Sequence, residues 1–293
     1  MIAKRLDALA IGLLTLLCIN FGLQQIAIKF ALEGISPVMQ AGLRSIGAAA
    51  LLMLWMRYKG EKIWQRDGAE LWGILAGLLF AAEFLLLYIA LEYTGAARAT
   101  IFLYTSPFVV AIGAQILLPT DRMRPAHFFG MMCAFVGVVL AFSDKANTSS
   151  IHSLMGDLLA LGAAILWGAT TLVIKASPQA ASSPARILLY QLGISAVILP
   201  VASVLMGEQG IFMLDQSVTL AMLFQIVVVA FLSYLGWFWL IRHYQASRIA
   251  TFSFMTPMFG VLFAWLILNE PLSLDFAIAL GLVAAGIYLV NRR

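Results

Sequence analysis

The chain reads as two successive copies of one pattern, residues 1–150 and residues 151–293, each holding five long apolar stretches. A helix rises about 1.5 Å per residue and the bilayer core is roughly 30 Å thick, so about 20 apolar residues make one crossing. A copy with an odd number of crossings leaves the second copy to enter the membrane from the opposite side. The predicted fold is therefore an all-α integral membrane protein. It has ten transmembrane helices, arranged as two inverted five-helix repeats around a central cavity. That plan suits a secondary transporter working by alternating access.

The predicted spans are 6–28, 37–57, 70–92, 97–118 and 126–143 in the first copy. In the second they are 154–174, 184–206, 217–241, 248–268 and 274–291. Several connections carry helix-start or breaker signals: Ser36-Pro37, Thr120-Asp121, Ser183-Pro184 and Glu270-Pro271. Residues are 62% hydrophobic and 11% charged, where a soluble domain carries about a quarter charged. Lys4 and Arg5 precede an apolar run from Leu6 through Ile28 that lacks a small-residue cleavage site, so the run is taken as the first membrane helix.

Charge is informative by position. Fourteen Lys and Arg fall on one side: Lys4, Arg5, Arg57, Lys59, Lys62, Arg66, Arg122, Arg124, Lys175, Arg186, Arg242, Arg248, Arg292 and Arg293. Three fall on the other, Lys29, Arg98 and Lys145, and Arg44 lies within span two. The positive-inside rule then places both termini in the cytoplasm, and the expected location is the cytoplasmic (inner) membrane. A net charge of +4 does not suggest nucleic acid as a partner. Cys18 and Cys133 sit deep in apolar runs and read as packing residues. The three histidines, His127, His152 and His243, lie at segment ends or in loops, and no Cys or His spacing fits a metal site or a cofactor.

The two copies match residue by residue. Gly22 precedes Lys29 by seven positions, and Gly168 precedes Lys175 by seven. Ser36-Pro37 answers Ser183-Pro184. Arg98-Ala99-Thr100 followed by Pro107 answers Arg248-Ile249-Ala250-Thr251 followed by Pro257. Gly137-Val138-Val139-Leu140 answers Gly286-Ile287-Tyr288-Leu289. On Trp167-Gly168…Lys175, the mid-helix prolines and the Asn269-Glu270-Pro271-Leu272 turn, the chain resembles the drug/metabolite transporter superfamily in its ten-helix EamA-type branch. It departs from that pattern at Phe21-Gly22, where Trp-Gly is usual, and at Pro119-Thr120-Asp121, where a Glu is expected. The resemblance implies that helices one to four and six to nine surround the cavity while five and ten lie outside. Among its members, amino-acid exporters, including those for aromatic amino acids, fit best.

Ionisable groups within spans are functional candidates because insertion scales charge them about 2.5–3.5 kcal/mol. Glu83 is mid-depth in span three, and Arg44 lies seven residues into span two. They read either as a structural ion pair or as a binding site. In the second reading Glu83 is a proton-titrating or amine-binding carboxylate and Arg44 holds a substrate carboxylate. Asn20 and Gln24 share one face of span one, with Gln25 beside them. Trp167, Thr170 and Thr171 take the positions of Phe21, Gln24 and Gln25 in the second copy. Gln40, Gln191 and Gln225 are expected to bridge helices. Ser233 answers Glu83. With Tyr234, Trp237 and Phe238, and with Tyr104 and Trp167, it suggests a cavity able to stack a flat or apolar substrate. Pro107 and Pro257 are either static kinks or hinges.

The leading expectation is export of small metabolites, favouring neutral or aromatic amino acids. Sugars, nucleotide derivatives and drug-like compounds stand as alternatives. A nucleotide-sugar or phosphate-sugar exchanger would want several cavity cations, and a quaternary-ammonium antiporter would want a carboxylate in span one. An enzyme is not expected: no His lies mid-span for an intramembrane Ser protease, and no Gly-x-x-x-x-Gly-Lys is present. A channel fits an inverted repeat within one chain less well than a carrier does. Gly73-x-x-x-Gly77 is a formal dimer motif, yet the fused halves already supply the pseudo-symmetry of a dimer, so a monomer is expected.

Overall fold

The computed structural model describes residues 6–63, 65, 67–118, 125–143, 151–269 and 274–291. Lys4, Arg5, Arg66, Arg122, Arg124, Lys145, Arg292, Arg293, the Pro119-Thr120-Asp121 turn and Glu270-Pro271-Leu272 lie outside the described residues. The first half contains α1 (Ala8–Leu32), α2 (Pro37–Tyr58), α3 (Glu70–Tyr93), α4 (Ala96–Leu103), α5 (Ser106–Leu117) and α6 (Pro125–Ser143). The second contains α7 (Ile151–Ala176), α8 (Pro184–Leu205), α9 (Gln216–Leu223), a π-helical stretch Phe224–Ser233, α10 (Tyr234–His243), α11 (Ala246–Phe252), α12 (Met255–Leu268) and α13 (Leu274–Asn291). Helices α4 and α5 together form the fourth span and α11 and α12 the ninth. The eighth runs from α9 through the π-helical stretch to α10. Among the described residues, nine helices are long and apolar enough to cross a membrane, and the tenth apolar helix is shorter.

Contacts at the helix ends show which termini share a face. Tyr244 after α10 hydrogen-bonds Asp7 before α1 (Oη to Oδ2 3.0 Å) and accepts from Lys175 Nζ at the end of α7 (2.6 Å). At the opposite end, Ile35 after α1 pairs with Ile211 after α8, and Thr94 and Arg98 meet Asp157 near the start of α7. So α1 starts on the Asp7 face, where α7 ends, and the two equivalent helices run in opposite directions. We call the face of Asp7, Lys175 and Tyr244 the terminal face and the other the far face. Of the described cations, Arg57, Lys59, Lys62, Lys175, Arg186, Arg242 and Arg248 follow the terminal face, and Lys29 and Arg98 the far face.

The same small residues bring equivalent helices together. A Cβ on Gly22 of α1 would lie 2.5 Å from Phe259 Cβ of α12, and one on Gly168 of α7 would lie 2.6 Å from Val109 Cβ of α5. Gly73 and Gly77, the formal dimer motif, are filled within the chain by Tyr190 and Ile194 of α8. Helices α6 and α13 pack on each other across Gly130, Gly137 and Gly286.

The second helix of each half ends in the same way. Gly60 and Gly207 take φ of 69° and 76°, with Gly60 N–H donating to Arg57 O (3.1 Å) and Gly207 N–H to Val204 O (3.1 Å). These left-handed residues close the helix as a C-terminal cap requires. Each is followed by a glutamate that reaches the opening of the other half's second helix. Glu208 accepts from Val38 N–H and Met39 N–H of α2, both at 3.0 Å, whereas Glu61 accepts from the Ser183 hydroxyl at 2.7 Å.

Both proline-bearing spans break at equivalent places. The helix stops at Tyr104-Thr105 and at Ser253-Phe254 and restarts at Ser106 and Met255, so each proline falls within the first turn of the following helix. There its missing N–H leaves nothing unsatisfied. Apolar length alone does not reveal the π-helical stretch of span eight. It coincides with the β-branched run Ile226 to Val229, whose crowded side chains weaken α-helical preference.

Candidate functional site

A cavity of about 230 Å³ lies between the two halves. Its lining comes from α1 (Phe21, Gln24, Gln25), α3 (Phe80, Glu83, Phe84, Tyr88), α7 (Trp167, Thr170, Thr171), α8 (Gln191) and α10 (Tyr234, Trp237, Phe238). The two helix breaks add Tyr104 on one side and Ser253 and Thr256 on the other, and Ile28, Leu87, Leu91 and Leu103 complete the lining. No lining residue comes from α6 or α13, in keeping with the layout implied for helices five and ten. Interrupted helices are tolerated at membrane depth where protein or a cavity surrounds them, which is where both breaks sit.

Glu83 is in the lining, and Arg44 lies behind two of the lining rings. Glu83 lines the cavity at 7% exposure, and its Oε2 has no hydrogen-bond partner. Arg44 is 1% exposed, and its Nε and both terminal nitrogens have none either. Its guanidinium carbon instead lies 4.7 Å from the Phe84 ring centroid and 6.0 Å from that of Tyr234, two lining aromatics. No ion pair joins Arg44 to Glu83, so the pure structural-pair reading lacks its contact. A desolvated cation–π contact contributes about 2 kcal/mol, but it satisfies none of the guanidinium N–H groups, and buried polar groups ordinarily find partners. An anion beside Arg44 and a cation beside Glu83 would complete both.

Aromatic rings flank this pair. Phe21 lies 5.7 Å from Tyr234 and 6.0 Å from Trp237, and Phe80 lies 6.1 Å from Tyr234. On the opposing side Tyr104 lies 6.0 Å from Trp167 and 6.3 Å from Phe254. Rings on both walls fit an apolar or flat group between them.

The cavity reaches toward the far face, where Ile28 and Leu91 lie near the ends of α1 and α3, and Gln25 and Leu91 are exposed. Toward the terminal face it ends at Trp167, Thr171, Trp237 and Ser253, below which only about 10 Å³ of space remains. Pro107, Val110, Ile249 and Ala250 close in around that space. Beyond them the Asp7–Tyr244–Lys175 contacts and an ion pair of Arg186 with Asp67 tie the face together. Asp67, in the loop after α2, is held below the ordinary carboxylate range chiefly by its hydrogen bond with Arg186.

Of the residues singled out from sequence, Gln24, Glu83, Tyr104, Trp167, Thr170, Tyr234 and Trp237 line one cavity, and Arg44 stacks against two of its walls. Asn20 and Ser233 lie outside the lining and bond each other, Nδ2 to Oγ at 3.2 Å, bridging α1 to span eight. Pro107 lines the small space below the floor, and Pro257 is buried in α12. Gln40 and Gln225 bridge as expected, donating to Ile28 O and Ala27 O of α1 at 3.4 Å each. Gln191 does not: it forms no hydrogen bond and lines the cavity. Tyr88, Phe84, Ser253 and Thr256 were not anticipated. The last two follow Thr251 within the matched Arg248…Pro257 segment, a signal that could have found them.

Comparison with known proteins agrees with this geometry. The EamA-like transporter family matches residues 8–143 and, a second time, residues 154–292. An "Uncharacterized transporter" of Archaeoglobus fulgidus is 26% identical over 92% of this chain and 92% of its own. A "Probable amino-acid metabolite efflux pump" of Salmonella typhimurium is 26% identical over 95% of this chain and 93% of its own. A crystal structure superimposes with a TM-score of 0.81 at 17% identity, covering 95% of each chain, which shows a shared fold.

Proposed function

We propose that this chain, which belongs to the EamA-like transporter family, exports small metabolites, specifically neutral or aromatic amino acids, across the cytoplasmic membrane by alternating access. The observation that carries the reading is a carboxylate oxygen of Glu83 without a hydrogen-bond partner in the cavity lining, with the guanidinium of Arg44, also without one, directly behind the lining rings of Phe84 and Tyr234. An amino acid presents a carboxylate to Arg44, an ammonium to Glu83 and its side chain to the rings. Two relatives, from Salmonella typhimurium and Escherichia coli, are named as probable amino-acid metabolite efflux pumps, which supports the substrate class.

The halves 1–150 and 151–293 would act as the two inverted repeats of one functional monomer, with no cofactor. The excess of cations on the terminal face supports placing that face, and both termini, in the cytoplasm. The cavity would then stand open outward and closed inward. The test is counterflow into proteoliposomes with labelled neutral, aromatic, basic and acidic amino acids, and with labelled sugars, nucleotide derivatives and drug-like cations. Saturable exchange of the neutral or aromatic group is expected. Exchange confined to sugars, nucleotide derivatives or drug-like cations would overturn the substrate class, and flux with no counterflow would overturn the carrier.

A further inference from the structure

Gln191 is 0% exposed, lines the cavity, and has no hydrogen-bond partner at either its Nε2 or its Oε1. A buried primary amide with both ends free is rare in a folded protein. Its place in the repeat is equally specific. Gln191 follows Arg44 at the same separation by which Ser183-Pro184 follows Ser36-Pro37 and Gly207-Glu208 follows Gly60-Glu61. At this equivalent position each second helix carries a polar head without a hydrogen-bond partner: a guanidinium on α2, behind the Phe84 and Tyr234 rings, and an amide on α8, in the lining. Those two helices pack against each other, Gly42 of α2 lying close to Pro200 of α8.

A primary amide carries a donor and an acceptor on one plane. It can therefore complement a group that sets a carboxylate beside an ammonium. It is also neutral. With Glu83 ionised, its charge balances that of Arg44, and an amino-acid zwitterion adds none. A third charged residue would leave net charge at membrane depth, which is costly.

We propose that Gln191 is a specificity-determining residue of the cavity. Its Nε2 donates to the substrate carboxylate held by Arg44, and its Oε1 accepts from the ammonium held by Glu83. The site then takes molecules with both groups free on one carbon and rejects those with either group blocked. This inference rests on the amino-acid reading above.

The test uses the full-length protein in proteoliposomes, with labelled L-phenylalanine and L-threonine as probes. Unlabelled amides and N-acetyl derivatives of each serve as competitors. In the wild type, the parent amino acid should compete and both blocked forms should not. Gln191→Leu should raise the half-saturating concentration at least about tenfold, the fold-change carried by one hydrogen bond to a charged group, with the maximal rate little changed. Quenching of Trp167 and Trp237 fluorescence in detergent should report the same shift in binding. If Gln191→Leu fails to fold, the near-isosteric Gln191→Met makes the same comparison. Unchanged half-saturation in the Gln191 variant, alongside loss of binding in Arg44→Ala, overturns the role of Gln191 alone. No exchange of either probe by the wild type overturns it together with the amino-acid reading.

Discussion

Arg44 is buried behind two of the cavity's aromatic walls. Its guanidinium rests on Phe84 but makes no hydrogen bond. If it holds a carboxylate, the fork geometry matters as well as the charge, because Arg grips both oxygens and Lys only approaches as a point. Arg44→Lys should therefore raise the half-saturating concentration of exchange by at least about tenfold, measured beside a wild type of equal liposome content. An unchanged value would remove Arg44 from the binding site. Glu83 separates two roles by a different readout. Glu83→Gln should abolish the pH dependence of exchange if Glu83 carries a coupling proton. If the variant keeps its pH dependence but loses affinity, Glu83 is an ammonium site and not a proton site. Asn20 and Ser233 bond each other away from the lining; together they should behave as a helix bridge, altering stability more than substrate affinity.

At the scale of single elements, the ends and breaks of helices are the informative features. Glu208 supplies α2 with the N-terminal cap that Ser36 does not, taking two backbone N–H groups and the Ser203 hydroxyl. Removing a cap costs about 0.5–2 kcal/mol, so Glu208→Ala should lower the thermal midpoint in detergent measurably. No shift would mean that the cap carries no stability. Pro107 and Pro257 begin helices instead of bending them. If the breaks before them flex during transport, Pro107→Ala and Pro257→Ala should each slow exchange by letting the two segments join. Normal turnover in both would leave the breaks static. Gly22 offers a control for packing: a Cβ there meets Phe259 Cβ at 2.5 Å and backbone beyond it. Gly22→Ala should therefore destabilise by about 1–3 kcal/mol, the range for overpacking.

For the whole molecule, the asymmetry between the faces is the property to test. With Cys18 and Cys133 replaced, a cysteine at exposed Gln25 should react with a membrane-impermeant thiol reagent added from outside the cell, and one at buried Ala250 should not. The reverse pattern would overturn either the orientation or the open face. The Asp67–Arg186 contact on the terminal face has a definite pH sign. Its carboxyl is held below its unfolded value, so the contribution is present at neutral pH and is lost only as pH falls through that lowered value. The difference in thermal midpoint between wild type and Asp67→Asn should therefore persist from pH 7 to pH 5 and disappear only in stronger acid.

Much of this architecture is legible in the sequence alone. Span limits read from apolar length agree with the helices within a few residues, because a bilayer imposes one length and one polarity on everything that crosses it. The inverted relation followed from an odd count, and the matched glycines and prolines located the close packings and the helix breaks. Seven of the twenty-one lining residues stood out in the sequence, since a polar side chain in hydrocarbon must face either a partner or a cavity. Sequence could not tell those two destinations apart. Asn20 and Ser233 found each other, Gln40 and Gln225 found carbonyls of α1, and Gln191 found the cavity. The choice depends on what the neighbouring helix places opposite each group, and that is a matter of rotation and distance between helices far apart in the chain. The tertiary structure alone therefore decided that Arg44 and Glu83 stand unpaired beside one cavity, and that this cavity is closed on the terminal face.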